Sequence, residues 1–203
     1  MVRDGIPYVV APLILAVAPA VFGFWPVSLG LVVVSGYMGF FFRDPKRQVP
    51  TEKGIIVAPA DGRVTLVKRA GSLDAESLVS IFLSPLDVHV NRSPIAGEIV
   101  DVAYKRGRFL MATNARARML NEQNTLTIRS HELTVKCTQI AGILARRIVC
   151  WKRAGERVEC GERFGMIKFG SRTDLTIPGS VELLVEEGMH VKAGVTIIGR
   201  VMK

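Results

Sequence analysis

Hydrophobic and polar positions divide the chain into two unequal regimes. From Gly5 to Phe42 no residue is Asp, Glu, Lys, Arg or His, a run of 38 uncharged positions, whereas from residue 43 onward apolar and polar residues alternate in short bursts. One continuous helix over that run would be about 57 Å long, nearly twice a hydrocarbon core of roughly 30 Å. Pro12, Pro19, Gly23, Pro26, Gly30, Gly36 and Gly39 punctuate it, most densely at Gly23-Phe24-Trp25-Pro26, where the aromatic pair suits a membrane interface. The pattern predicts two short helices forming a hydrophobic hairpin over residues 1–42, either spanning a bilayer thinly or lying in one leaflet. Arg3 flanks one end and Arg43, Lys46 and Arg47 the other. By the positive-inside rule both ends, and the remainder of the chain with them, lie on the cytoplasmic face of the cell membrane, anchored by residues 5–42. A cleaved signal peptide ending near Ala18-Pro19-Ala20 is the competing reading; the apolar run continues well past that point, and Asp4 spoils a basic leader.

Residues 43–53, Arg43-Asp44-Pro45 through Pro50 and beyond, form a proline-bracketed linker that cannot continue a helix. Residues 54–203 then read as a catalytic β domain. Short β-type runs at 55–58, 63–68, 78–83, 89–91, 97–104, 125–129, 133–137, 145–151, 157–158, 165–169, 181–185 and 196–201 are bounded by Gly, Pro and Asp or Asn. One stretch differs: Thr113-Asn114 followed by helix formers over 115–123 predicts a single short helix with a cap. Two phrases recur. Pro59-Ala60-Asp61-Gly62-Arg63-Val64 is echoed by Pro94-Ile95-Ala96-Gly97-Glu98-Ile99, and Val158-Glu159-Cys160-Gly161 by Val191-Lys192-Ala193-Gly194, each a turn leading into a strand. Such phrases resemble those of barrel-sandwich hybrid domains, so a mainly β fold of that compact type is expected. A lipoyl or biotinyl carrier is not, because no E-x-M-K-M hairpin or comparable turn lysine is present.

Composition sharpens this division. The chain is 49% hydrophobic yet carries a formal net charge of +9, and since Arg3 and Asp4 cancel, all of that charge belongs to residues 43–203. Disorder is excluded. Cys137, Cys150 and Cys160 cannot all pair and lack metal-ligand spacing, so they read as reduced core residues with no metal site. Basic pairs at Arg106/Arg108, Arg116/Arg118, Arg146/Arg147 and Lys152/Arg153 lack the interleaved aromatics of a nucleic-acid surface; beside a membrane anchor they fit an anionic lipid surface instead.

Three segments hold polar residues for which a β domain has little structural use. Asp61 follows an apolar run and, alone, reads as an Asx-turn residue before glycine. His89 stands between two valines in Phe82-Leu83-Ser84-Pro85-Leu86-Asp87-Val88-His89-Val90-Asn91-Arg92, where a lone histidine is commonly a satisfied core group. Ser171 lies in Phe169-Gly170-Ser171-Arg172-Thr173-Asp174, between apolar strands. Together an aspartate, a histidine and a serine can assemble an acid, a base and a nucleophile, and a serine hydrolase is the default. No G-x-S-x-G elbow surrounds any serine, however. The glycine before Ser171 permits a strained backbone and leaves its carbonyl open to the next residue's hydroxyl.

With these segments in view, the chain resembles the short prokaryotic type of phosphatidylserine decarboxylase proenzyme. The likeness rests on Arg3-Asp4-Gly5-Ile6-Pro7, Phe40-Phe41-Phe42-Arg43-Asp44-Pro45, Ala58-Pro59-Ala60-Asp61-Gly62, the histidine segment just quoted, Asn121-Glu122-Gln123, Ala141-Gly142 with Ala145-Arg146-Arg147-Ile148, and the Gly170-Ser171 segment. It implies self-cleavage between Gly170 and Ser171 into a large chain, 1–170, and a small chain, 171–203. Ser171 would become a pyruvoyl group, the one cofactor, and would form a Schiff base with the serine headgroup of phosphatidylserine. Loss of CO₂ would yield phosphatidylethanolamine. His89 would be the general acid and base, and Asp61 would support the base in cleavage. Longer relatives carry H-x-x-H where this chain has His89-Val90-Asn91-Arg92, and arginine cannot serve as a base near neutral pH. Alternatives left open are an ether-lipid substrate such as archaetidylserine, a membrane-tethered binding module without chemistry, and a homo-oligomeric state.

Overall fold

The computed structural model describes residues 1–111, 116–143, 147–169 and 171–202. They fall into two compact units, 1–46 and 47–203.

In the first unit a 3-10 turn, Arg3–Gly5, leads into helix α1, Ile6–Val21, and helix α2 follows as Trp25–Phe41. The break falls at 22–24, one step ahead of Pro26, which takes one of the first two positions of α2, where its missing N–H costs nothing. Two hydroxyls seven residues apart sew the helices antiparallel: Ser28 Oγ donates to the carbonyl of Ala16 (2.8 Å) and Ser35 Oγ to that of Val9 (2.7 Å). In an apolar surrounding such bonds leave no polar group unsatisfied. Gly5 lies so close to Phe42 that a Cβ there would come within 2.4 Å of the Phe42 Cβ, and the Tyr8 and Phe42 rings stack at 5.1 Å. The segment Arg3–Val21 is 19 residues long and apolar enough to cross a membrane by length and composition.

The second unit is mainly β, as expected. Its strands are β1 (Ile55–Val57), β2 (Gly62–Lys68), β3 (Glu76–Leu83), β4 (Val90–Arg92), β5 (Gly97–Lys105), β6 (Gln123–Arg129), β7 (Thr134–Ala141), β8 (Ile148–Cys150), β9 (Arg157–Val158), β10 (Arg163–Ile167), β11 (Ser171–Pro178), β12 (Val181–Leu183), β13 (His190–Val191) and β14 (Ile197–Val201). A long curled sheet runs β13-β2-β3-β11-β7-β6-β5-β9, and two three-stranded sheets run β1-β14-β12 and β4-β10-β8. The short helix α3 covers only Ala117–Leu120, one turn against the nine residues expected; its expected cap, Thr113-Asn114, lies outside the described residues. The helix stops because Asn121 turns its side chain onto the carbonyls of Leu110 (2.8 Å) and Ala141 (2.7 Å), and Gln123 already opens β6. The expected strand 145–151 is seen as Ile148–Cys150, with 145–146 outside the described residues. Strands β11 and β13 were absent from the strand pattern: β11 is buried on both faces and so shows no clean alternation, and β13 is only two residues long. His190 therefore stands on β13 rather than in a turn, and it is exposed, as is His131.

The echoed phrases meet as a pseudo-two-fold pair. Val57 N donates to Pro94 O while Arg92 N donates to Pro59 O, each at 2.9 Å. In the same way Gly161 N donates to Ser93 O (2.8 Å) and Gly194 N to Ala58 O (2.9 Å). Both glycines hold left-handed backbone, φ 75° and 70°, and the Cβ position of Gly194 is 3.3 Å from the Gly161 Cα, so neither turn admits a side chain without strain.

Inside the curled sheet, successive cross-strand rungs grade from apolar to polar. Ile177 heads an apolar end where Val135 pairs Ile128; the next rung is Leu175, Cys137 and Leu126; the next is Thr173, Gln139 and Asn124; and the last sets Ser171 between Leu83 and Ala141. The apolar core thus fills one end of this face, and buried polar residues stand toward the other.

Candidate active site

Ser171 opens β11, the strand between β3 and β7, and is fully buried. Its Oγ has no hydrogen-bond partner among the described residues. Leaving a buried hydroxyl orphaned costs about 1–3 kcal/mol, so a fold that retains one is holding a group whose use is not structural. Two residues earlier Phe169 has φ 62°, the one non-glycine residue among the described residues with positive φ. A bulky side chain in left-handed backbone costs roughly 1–2 kcal/mol. The connection from β10 into β11 is therefore strained beside the Gly170-Ser171 step; Gly170 itself lies outside the described residues.

His89 arrives from β3. That strand ends at Leu83, the register partner of Ser171, and a tight turn follows in which Asp87 N donates to Ser84 O (2.9 Å) while Asp87 Oδ2 accepts from Ser84 N (2.8 Å). The turn delivers His89, fully buried, with Nδ1 3.0 Å from the carbonyl of Asp87. A carbonyl only accepts, so Nδ1 carries the proton, and in the neutral ring Nε2 is the basic atom. The backbone of His89 is tied to the end of β10 as well: its carbonyl accepts from Ile167 N at 3.3 Å.

Asp61 lies in the connection between β1 and β2. Its Oδ2 pairs with Arg47 Nη2 at 2.7 Å, and its Oδ1 accepts from Ala193 N at 2.8 Å, a bond between residues 132 positions apart in the chain. Arg92 donates from Nη1 to Gly161 O (3.0 Å). By the two-residue strand period it points away from the face that carries His89 and Asn91.

Two polar groupings were not singled out in the sequence. On the outer face of β11, Arg172 and Asp174 form a buried bidentate pair (Nε to Oδ1 2.6 Å, Nη2 to Oδ2 3.2 Å); Arg172 Nη2 also donates to Ser80 Oγ (2.7 Å), and Arg118 Nε approaches Asp174 Oδ2 at 3.4 Å. On the inner face, Asn91, Gln139, Asn124 and Thr173 share hydrogen bonds. The available signal was a polar residue in an inward apolar row: Asn124 before Leu126 and Ile128, Gln139 after Val135 and Cys137. Burial lifts the Cys137 thiol far above its ordinary range, and the nearby Asp174 charge and Cys150 add to it. Among the described residues no group of three His, Cys, Asp or Glu could hold a metal. Of the basic pairs, Arg118 serves Asp174, and Lys152 is drawn to Glu162 (2.6 Å) and Glu156 (3.7 Å), while Arg106, Arg108, Arg116, Arg147 and Arg153 are exposed.

A buried hydroxyl without a partner among the described residues, at a strained loop-to-strand junction beside an imidazole held in one tautomer, gives this β domain the makings of an enzyme site. The phosphatidylserine decarboxylase family model matches residues 35–199. Similar proteins named phosphatidylserine decarboxylase proenzyme occur in Pelodictyon phaeoclathratiforme (45% identical, covering 93% of this chain and 92% of that one), Chlorobium limicola (47%; 79% and 77%) and Symbiobacterium thermophilum (44%; 98% and 94%). The chain belongs to the phosphatidylserine decarboxylase family, and it is a decarboxylase.

Proposed function

We propose that this chain is a proenzyme that cuts itself between Gly170 and Ser171 and then decarboxylates phosphatidylserine to phosphatidylethanolamine at a pyruvoyl group derived from Ser171. The observation that carries the reading is the orphaned, fully buried Ser171 Oγ beside left-handed Phe169. With nothing to hold it elsewhere, the hydroxyl is available to the preceding carbonyl, and breaking the chain there releases the strain at Phe169. In processing, the Ser171 Oγ bonds to the Gly170 carbonyl carbon as the peptide nitrogen leaves, giving an ester with a free amine. Elimination then makes the Gly170 carboxylate the end of the large chain, and hydrolysis of the remaining dehydroalanine releases ammonia. His89 Nε2 takes and returns the protons, because Nδ1 is committed to the Asp87 carbonyl.

The fit of the pyruvoyl group to the site follows from that same hydroxyl: the group arises at the residue whose polar atom the fold leaves unused. Once formed, its carbonyl supplies an electrophile for the headgroup amine and a sink for the electrons left by CO₂. The chain's own task is then to exclude water, which burial at the last rung of the sheet achieves, and to deliver a proton from His89 Nε2. Asp61, bonded to Arg47 and to Ala193 N, supports cleavage by holding the small-chain turn against the β1–β2 connection. The apolar hairpin holds the enzyme at the cytoplasmic face of the cell membrane, and the exposed arginines meet anionic lipid.

Intact mass is the direct test. The parent should separate into chains 1–170 and 171–203 with a pyruvoyl mass on the smaller, Ser171→Ala should remain uncut, and Ser180→Ala should be cut like the parent. Processed protein should release CO₂ from diacyl phosphatidylserine. Release from an ether-linked analogue alone would shift the substrate class, and an uncut parent would leave the binding-module reading.

A further inference from the structure

Asn91 joins all three of the segments that carry the chemistry. It lies two residues beyond His89, its Nδ2 donates to Thr173 Oγ1 (3.1 Å), two residues beyond Ser171, and the same Nδ2 donates to Pro59 O (3.3 Å), two residues before Asp61. Its Oδ1 accepts from Gln139 Nε2 (2.9 Å), and Gln139 Oε1 accepts from Asn124 Nδ2 (3.0 Å). These four side chains are at most 3% exposed. The amides form a one-directional relay, each carbonyl accepting from the next NH₂, so turning any one over would set nitrogen against nitrogen or oxygen against oxygen. Asn124, Gln139 and Thr173 come from one rung of the curled sheet, while Asn91 stands on β4 of a three-stranded sheet, which makes Asn91–Gln139 and Asn91–Thr173 bonds across a seam between two sheets. His89 and Ser171 stand on opposite sides of that seam. Strand order alone does not set the distance between them, because no backbone ladder joins β4 to β11.

We infer that Asn91 is a positioning residue for this enzyme: through Thr173 and Gln139 it sets β4, and with it His89 at its leading edge, against the strand that begins with Ser171, and so governs both self-cleavage and turnover. The inference rests on the processing and decarboxylation proposed for Ser171. A hydrophobic core would have closed the seam as tightly, since apolar packing has no direction. Four buried amide and hydroxyl groups, bonded to one another in one orientation, specify a single register instead. An acid–base pair needs that register, because displacement of about 1 Å can cost on the order of a hundredfold in rate.

The test uses full-length protein. Thr173→Val removes the hydroxyl and keeps the strand's shape; Thr173→Ser keeps the hydroxyl; Asn91→Leu removes the hub. Self-cleavage is followed by intact mass after synthesis is stopped, and kcat and KM for phosphatidylserine are measured on whatever fraction is cut. Thr173→Val and Asn91→Leu are expected to be cut about tenfold or more slowly, with kcat reduced and KM near the parent's, while Thr173→Ser stays within about threefold of the parent. A merely structural role would lower the melting temperature without this split between kcat and KM and without rescue by serine. If Asn91→Leu does not fold, the valine and serine variants at 173 decide the matter. Folded Thr173→Val cut and turned over like the parent overturns the inference while leaving the functional reading intact; a parent that is never cut overturns that reading, and this inference with it.

Discussion

Removing Asp174 should destabilise the domain more than removing Arg172, although the two form one ion pair. Arg172 is 7% exposed and Asp174 3%, and they share two contacts, at 2.6 and 3.2 Å. Deleting one partner of a buried pair leaves an uncompensated charge at a cost of about 3–5 kcal/mol. The environment is not symmetric, however. If Arg172→Met is made, Asp174 retains Arg118 at 3.4 Å, whose side chain is 43% exposed and can close in, so the loss reduces to the charged hydrogen bonds themselves, about 1.5–3 kcal/mol. If Asp174→Leu is made, Arg172 retains among the described residues only the Ser80 hydroxyl at 2.7 Å, a neutral acceptor, and the fuller cost applies. The expected difference of about 2 kcal/mol corresponds to roughly 4–8 °C in Tm for a chain of this size. Thermal unfolding of the full chain in detergent, followed by near-ultraviolet circular dichroism in a Ser171→Ala background, which under the proposed processing stays one covalent chain, measures it. The double variant Arg172→Met/Asp174→Leu should lose less than the two singles summed, because neither charge is left buried. Equal losses for the singles would refute the assignment of Arg118 as a second partner, and an additive double would refute the coupling of Arg172 to Asp174.

Gly62→Ala should be among the most damaging single-atom additions: φ is 145° and the new Cβ would stand 2.1 Å from the Phe82 carbonyl oxygen, so a loss of about 3 kcal/mol or more and failure to accumulate cut chains are expected by intact mass and melting. Cys160, pushed up to about 11 by burial and by the Glu159 charge, should alkylate slowly at pH 8, with a rate that climbs until the pH passes about 11. Cys137, raised further by its burial, should remain unmodified until urea unfolds the domain; labelling of native Cys137 at the unfolded rate, read by peptide mass, would contradict its place in the core.

The hairpin, the mainly β domain, the repeat phrases and the family were legible in the linear order because each is written locally: a charge-free run broken by proline and glycine, period-two strands between turn residues, and turn glycines at matching offsets. Helix propensity over 115–123 misled because Asn121, a residue tolerated in helices, is used by the fold as a cross-link between Leu110 and Ala141. The strand beginning at Ser171 was missed for the opposite reason: wedged between β3 and β7 and buried on both faces, it has no solvent side to impose alternation. Ser171, His89 and Asp61 could be picked out as candidates from the sequence, yet nothing in their spacing told which imidazole nitrogen holds the proton, or that Asp61 is committed to Arg47 and to the backbone at Ala193. Nor did the composition mark Asn91 as anything but a polar strand residue. Sequence alone determined which groups this protein possesses, since residue type and periodicity act over a few neighbours. Only the tertiary structure decided which of them meet, because the seam between two sheets is crossed by side chains more than eighty positions apart, as Asn91 and Thr173 are, and directional hydrogen bonds there depend on where whole strands come to rest.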